Sequence, residues 1–257
     1  MEHTEIALWL MSFAVGILIG LTSMGGAALM TPFLILVIGV RPLLAVGTDL
    51  AYSAVTKIIG ALMHWRQCTV DVRTALYLGC GSIPGAAAGV SVLAHLRESG
   101  VDIDQWLRRA IGVVLMAVSV VLLVRTLRVR AENKSLPYLL VKYRTHCIIA
   151  WGATVGFAVG MTSVGSGSLI VPLLLMLYPA TPALMVGTDV FHAALLVAFS
   201  ALLHLGANHV DLHLLPSLLA GSVPGVLLGS YLAPRLPART LRLGLGLVLL
   251  TTGVKLL

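Results

Sequence analysis

The stretch Gly20-Leu21-Thr22-Ser23-Met24-Gly25-Gly26-Ala27-Ala28-Leu29-Met30-Thr31-Pro32 puts three glycines, two adjacent hydroxyls and a proline inside a run that carries no charge from Ile6 to Val40. Backbone amides cannot be left unpaired in lipid, so helix breakers at membrane depth mark a joint that is buried in protein or lines a cavity. The run is 35 residues long, whereas one helix needs ~20 apolar residues to cross a bilayer. Two short segments meeting at the breakers suit that length. A second charge-free run of 42 residues, Cys147 to Thr188, is interrupted in the same way around Thr162-Ser163.

The rest of the chain has the same character. Of its 257 residues 58% are hydrophobic and 11% charged, with a mean hydropathy of +1.00, too apolar for a surface that must be wetted. The expectation is an all-α integral membrane protein, multi-pass in the lipid bilayer of the cell inner (cytoplasmic) membrane. A formal charge of +7 would suggest nucleic acid in a soluble protein. Here the basic residues Arg125, Arg128, Arg130, Lys134, Lys142 and Arg144 cluster between apolar runs, as in a cytoplasmic loop, and no nucleic-acid partner is expected. Glu2 and Glu5 stand where a cleavable signal would be positive, so no signal peptide is expected. Cys68, Cys80 and Cys147 form no CxxC pair, which argues against a disulfide framework or a thiolate metal site. The apolar runs predict segments near 6–21, 25–40, 43–63, 74–94 and 107–124, then 145–161, 165–179, 183–203, 213–233 and 240–257. They divide the chain into an N-terminal transmembrane repeat (1–124), a basic cytoplasmic linker (125–144) and a C-terminal transmembrane repeat (145–257).

The two halves are copies. A shift of 140 carries Gly16, Gly20, Thr22, Ser23, Gly25 and Pro32 onto Gly156, Gly160, Thr162, Ser163, Gly165 and Pro172. The same shift carries Gly47-Thr48-Asp49 onto Gly187-Thr188-Asp189, His64 onto His204, Asp71 onto Asp211, and Gly81-Ser82-Ile83-Pro84-Gly85 onto Gly221-Ser222-Val223-Pro224-Gly225. Between Gly16 and Gly89, 26 of 74 positions are identical without a gap, and most of them are Gly, Pro, Asp, His or hydroxyl residues. Shared hydrophobicity does not produce that set, so it is an internal repeat. An odd number of crossings per repeat turns the second copy upside down. Basic residues agree, with two Lys or Arg in loop 64–73 and none in loop 204–213. The predicted fold is therefore two inverted-topology repeats of about five helical elements each. The first elements are short or re-entrant, and the substrate lies near the repeat interface.

At these residues the chain resembles the TauE/SafE sulfite exporter family, also called the four-toluene sulfonate uptake permeases. The likeness is carried by Gly20-x-x-Ser23-x-Gly25-Gly26 with Pro32, Gly47-Thr48-Asp49-Leu50, Lys57-x-x-Gly60 leading to His64, Val70-Asp71, and Pro84-Gly85-x-x-x-Gly89. It covers nearly the whole chain outside 125–144 and has weaker echoes in the second half. The resemblance implies a multi-helix transporter for sulfur-containing anions such as sulfite, sulfoacetate or other organosulfonates. The second copy departs at Ser166-Gly167 and has Val197 in place of the lysine.

The hydroxyl breaks have two readings. If the chain unwinds there, freed backbone amides and hydroxyls face a cavity in which a sulfonate sits; otherwise the glycines let helices touch, as the Gly16/Gly20 and Gly81/Gly85/Gly89 spacings suggest. On the first reading the anion is held by Thr22, Ser23, Gly25, Gly26 and Lys57 from one half, and by Thr162, Ser163, Gly165 and Ser166 from the other. Asp49 and Asp189 either cap helices starting beside them or take part in proton or sodium coupling. His192, three residues after Asp189, shares its helix face. His64 and His204, at segment ends, suit a structural hydrogen bond or a gating role. Lys57 is the one Lys or Arg well inside an apolar segment, on a face with Asp49, Ser53, Thr56 and Gly60. Three partners remain open for it: Asp189 from the inverted half, the transported anion, or the membrane interface near His64.

No HExxH, GxSxG, GxxxxGK[ST] or GxGxxG motif is present, so no catalytic residue, metal or cofactor is expected beyond a coupling proton or sodium ion. The leading function is a secondary transporter; a passive anion channel and an intramembrane aspartate enzyme are the alternatives, and a homodimer stays open. The topology has its own test. Single cysteines at positions 68 and 208 of a cysteine-free protein should react with an impermeant thiol reagent from opposite sides of the membrane, and same-side labelling would remove the inverted repeat.

Overall fold

The computed structural model describes residues 2–22, 27–127, 144–165, 167, 169–170, 174, 181–232 and 238–257. These are almost wholly helical, with no strand among them. Helix α1 (Glu2–Thr22) ends where the quoted breakers begin, and α2 (Ala27–Phe33) continues into a π-helical stretch (Leu34–Ile38) closed by Gly39 at φ 77°. Then follow α3 (Pro42–Arg66), α4 (Val72–Glu98), α5 (Ile103–Leu127), α6 (Arg144–Thr162), α7 (Pro182–Gly206), α8 (Leu214–Leu232) and α9 (Ala238–Leu256). The segment expected at 165–179 lies mostly outside the described residues, as does the linker beyond Leu127.

Five of these helices, α3 to α7, contain stretches long and apolar enough to cross a membrane, while α1, α2, α8 and α9 carry shorter apolar stretches. The 12 residues from Ala27 to Ile38 rise about 18 Å at helical pitch, too little for a ~30 Å hydrocarbon core, so the element after the first break is short, as expected.

Across the halves, α1 packs on α8, α4 on α6, α3 on α7 and α5 on α9. The first two pairs meet backbone to backbone. A Cβ on Gly81 of α4 would run into the Ile149 carbonyl of α6, and one on Gly225 of α8 into the Phe13 carbonyl of α1. Small residues at such crossings allow the close approach that holds helices together where lipid removes the hydrophobic drive. The packing reading thus holds for Gly81, Gly85 and Gly89 on α4 and for Gly16 on α1.

Helices α3 and α7 are antiparallel. The turn after α3 rests on the start of α7, where Asp71 N donates to Thr188 Oγ1 at 2.9 Å, and the turn after α7 rests on the start of α3, where Asp211 N donates to Thr48 Oγ1 at 2.9 Å. Cys68 and Asn208 occupy the same left-handed position in these two turns, at φ 54° and 56°. Asp71 and Asp211 then accept the first amides of α4 and of the turn leading into α8.

Gly81→Ala should lower the midpoint of thermal unfolding, since overpacking a tight contact costs about 1–3 kcal/mol. Gly79→Ala, on the same helix with nothing within 4 Å of its Cβ, should be neutral or gain up to about 0.5–1 kcal/mol. Melting of both purified variants in detergent measures the difference.

Candidate functional site

Pro42 opens α3 at a position where its missing amide costs nothing. Asp49 follows about two turns later, so it is not a cap; the capping position is Arg41, and in α7 it is Thr181, whose hydroxyl accepts from Leu184 N at 3.4 Å. The capping alternative for Asp49 and Asp189 falls on this point. Asp49 is instead fully buried and surrounded by hydroxyls. Its Oδ2 accepts from Thr31 Oγ1 of α2 at 2.5 Å and from Ser163 Oγ beyond α6 at 2.7 Å, and its Oδ1 accepts from Ser53 Oγ one turn along α3 at 3.2 Å. A buried carboxylate held by three donors has replaced its water shell with fixed protein groups.

The break after α6 is what delivers Ser163. Its amide still donates to Val159 O at 2.8 Å, closing the helix. Its own backbone is left-handed at φ 64°, and Gly165 follows at φ 117°, a conformation that suits glycine. Thr162 does not join the site: it donates to Ala158 O at 2.7 Å and accepts from Val164 N at 3.3 Å. In the first half α1 ends at Thr22, while Ser23, Gly25, Gly26 and Ser166 lie outside the described residues.

Asp189 matches Asp49 by the 140-residue shift but has different surroundings. It is 5% exposed, and among the described residues no donor reaches its Oδ1. Lys57, partly buried on α3, lies within electrostatic reach of Asp189 and, more weakly, of Asp49. His192, fully buried one turn along α7, also stands in the Lys57 field, and its Nε2 meets Ser82 Oγ of α4 at 2.7 Å. At the matched positions of the other half the fully buried Tyr52 lies beside Ser222, whose hydroxyl donates to Leu218 O at 2.6 Å. Helices α3 and α7 thus carry a polar layer of Asp49, Lys57, Asp189 and His192 through the apolar core.

The two end histidines stand apart from this layer. His64 Nδ1 meets Thr69 Oγ1 at 2.9 Å and steadies the turn after α3. His204 Nε2 donates to Gly160 O at 2.8 Å, and its ring packs edge-on against His209 at 5.4 Å. Burial, reinforced by the Arg97 charge, holds His209 below the ordinary imidazole range. His64 and His204 thus each make the kind of hydrogen bond that the structural reading expects. Residues that sequence reasoning left out of the site are Thr31, Ser53, Tyr52, Ser82 and Ser222. Ser53, four residues from Asp49, and the repeated Gly-Ser-x-Pro-Gly motif were the signals for three of them. Among the described residues no group of His, Cys, Asp and Glu is arranged to hold a metal ion.

A family model described as Sulfite exporter TauE/SafE matches residues 8–256. The chain is 39% identical over 254 residues to the probable membrane transporter protein YjnA of Bacillus subtilis (strain 168), covering 98% of this chain and 100% of that one. It is 26% identical over 269 residues to the probable membrane transporter protein YunE of the same organism, covering 98% and 96%. It is 27% identical over 227 residues to a probable membrane transporter protein of Xylella fastidiosa (strain Temecula1 / ATCC 700964), covering 87% and 83%. No solved structure matches the chain.

Removing one donor from a buried carboxylate costs about 1–3 kcal/mol, so Ser163→Ala should lower the melting midpoint in detergent. Ser200→Ala removes a buried hydroxyl that donates to Leu196 O of its own helix at 2.8 Å, an acceptor already served by the helix, and should cost less. Equal losses would show that the Ser163 to Asp49 bond adds nothing to stability.

Proposed function

The chain belongs to the sulfite exporter TauE/SafE family, and from that membership we propose that this membrane transporter is an ion-coupled secondary transporter of sulfur-containing organic anions, organosulfonates such as sulfoacetate, or of sulfite, across the cytoplasmic membrane. The observation that carries the reading is Lys57, a lysine on α3 within electrostatic reach of two buried carboxylates where α3 and α7 meet. A charge at membrane depth costs about 2.5–3.5 kcal/mol or more, and such residues line substrate or ion pathways. Three sulfonate oxygens suit an ammonium, and Ser53, one turn before Lys57 on α3, sets a hydroxyl on the same helix face.

The antiparallel α3 and α7, with turns that contact the partner helix at matched positions, support the inverted arrangement of the two halves. In that arrangement rocking of one half against the other exposes a fixed central site to each side in turn. Lys57 has no lysine at its matched position, Val197, so one anion site is expected rather than two.

Binding to purified protein tests this. A thermal-shift screen against sulfite, sulfate, sulfoacetate and taurine should show stabilisation by at least one sulfonate or by sulfite. Lys57→Gln should weaken that binding by about tenfold to a hundredfold, because a hydrogen bond to a charged group contributes ~1.5–3 kcal/mol, while Lys57→Arg retains part of it. Normal affinity in a folded Lys57→Gln protein would remove Lys57 from the site.

A further inference from the structure

We propose that Lys57 and Asp189 form a single exchange unit, in which the arriving anion replaces Asp189 as the counter-ion of Lys57 while Asp189 takes up one proton, so that one proton travels with each anion. This rests on the anion-transport reading above and adds to it the coupling ion, the residue that carries it and the stoichiometry.

The case comes from the difference between two matched carboxylates. Asp49 has three hydroxyl donors, Thr31, Ser53 and Ser163. A shift of 140 places Val171 and Ala193 opposite Thr31 and Ser53, so two of the three donor positions are apolar in the other half. Asp189 is nonetheless buried, with no donor on its Oδ1 among the described residues. Such a carboxylate avoids the cost of an unsolvated charge by pairing with a cation or by carrying a proton. The structure offers the first through Lys57, one turn before Gly60 on α3, where a Cβ would lie 3.3 Å from the side chain of Val190, the residue next to Asp189.

Among the described residues the hydroxyl and imidazole that flank Asp189 on its own helix bond elsewhere, through Thr188 Oγ1 and His192 Nε2, while His192 Nδ1 has no hydrogen-bond partner. His192, on its own helix, meets Ser82 of α4 through Nε2. The Thr188 hydroxyl donates to Leu184 O and accepts from Asp71 N. From α3 the charges are Lys57 and, beyond it, Asp49. An anion seated on Lys57 beside an ionised Asp189 would place two negative charges against one positive in a medium of low dielectric constant.

Uptake of one proton by an Asp189 carboxylate oxygen removes that excess. The interaction between Lys57 Nζ and Asp189 is lost, one from Nζ to a sulfonate oxygen forms, the proton comes from bulk water, and nothing is oxidised. For a monovalent sulfonate the net charge of the site is the same empty and loaded, so the loaded carrier crosses without responding to membrane potential. Asp49, held by its hydroxyls, keeps its protonation state.

Methanesulfonate, a monoanion that does not itself titrate in this range, serves as the probe. Its dissociation constant for the wild-type protein, measured by calorimetry between about pH 6 and 9, should rise to a slope of about tenfold per pH unit at the alkaline end, the signature of one proton bound with the anion. In Asp189→Asn that slope should vanish, while Asp49→Asn keeps it. Wild-type proteoliposomes should accumulate methanesulfonate against its gradient when the outside is made acid, and a potassium diffusion potential set with valinomycin should not alter the uptake. Binding that is independent of pH in the wild type, or uptake driven by potential, overturns the proton exchange and leaves anion transport standing. Failure of methanesulfonate and of every anion in the screen to bind at any pH overturns the anion reading itself, and the exchange with it. Because the slope and the potential test use the wild-type protein, they decide the matter even if Asp189→Asn does not fold.

Discussion

A carboxylate enclosed by an apolar helical bundle must be satisfied by protein groups, and Asp49 imposes that requirement on three separate segments at once. Its donors come from α2, from the next turn of α3 and from the residue after α6. The break at Ser163 follows from the requirement. A continuous helix would have kept that hydroxyl on the α6 surface, whereas the left-handed turn at φ 64° carries it to Asp49. The glycine at 165 lets the chain leave again. The hydroxyl break therefore brings a donor to a buried carboxyl group.

The bundle around this contact is held by backbone proximity. Helix pairs α1 with α8 and α4 with α6 cross at glycines whose neighbours are carbonyl groups of the partner helix. Neither crossing leaves room for a side chain, so both pairs act as tight units. They flank the antiparallel pair α3 and α7, which carries the ionisable residues and whose ends are fixed by the Thr48 and Thr188 hydroxyls. That pair is also packed closely at its ends, where a Cβ on Gly47 or Gly187 would meet the His209 or Thr69 carbonyl. The two end histidines, His64 and His204, bond through their ring nitrogens to a turn threonine and a helix carbonyl.

Within this frame the two halves have diverged where charge is handled. Positions that only shape the backbone are alike, as in the left-handed Cys68 and Asn208 and the capping Asp71 and Asp211. Among the described residues those that meet the carboxylates are not: Asp49 accepts from three hydroxyls, whereas Asp189 Oδ1 has no donor and the carboxylate lies within electrostatic reach of Lys57. Tyr52 and His192 likewise occupy matched places beside Ser222 and Ser82 with different chemistry. A repeated architecture thus sets different groups around its two aspartates.

Much of this was legible in the residues alone. Membrane character, the apolar segments, the breaks around residues 22 and 163, the glycine crossings and the shared face of Asp49, Ser53 and Lys57 all depend on composition or on neighbours within a turn or two, which the linear order contains. The nearness of Lys57 to Asp189 stood there as one of three options, since helical periodicity gives the face on which Lys57 lies but not what stands opposite it. The tertiary structure decided what the linear order leaves open. It turned Thr162 back onto its own helix and Ser163 toward a carboxylate 114 positions away, and it placed Asp49 and Asp189 inside helices that begin at Pro42 and Pro182 rather than at their caps. The physical reason is that a hydrogen-bond partner in a bundle is set by which helices cross and at what height, and many crossings are compatible with the same pattern of apolar and polar residues along the chain.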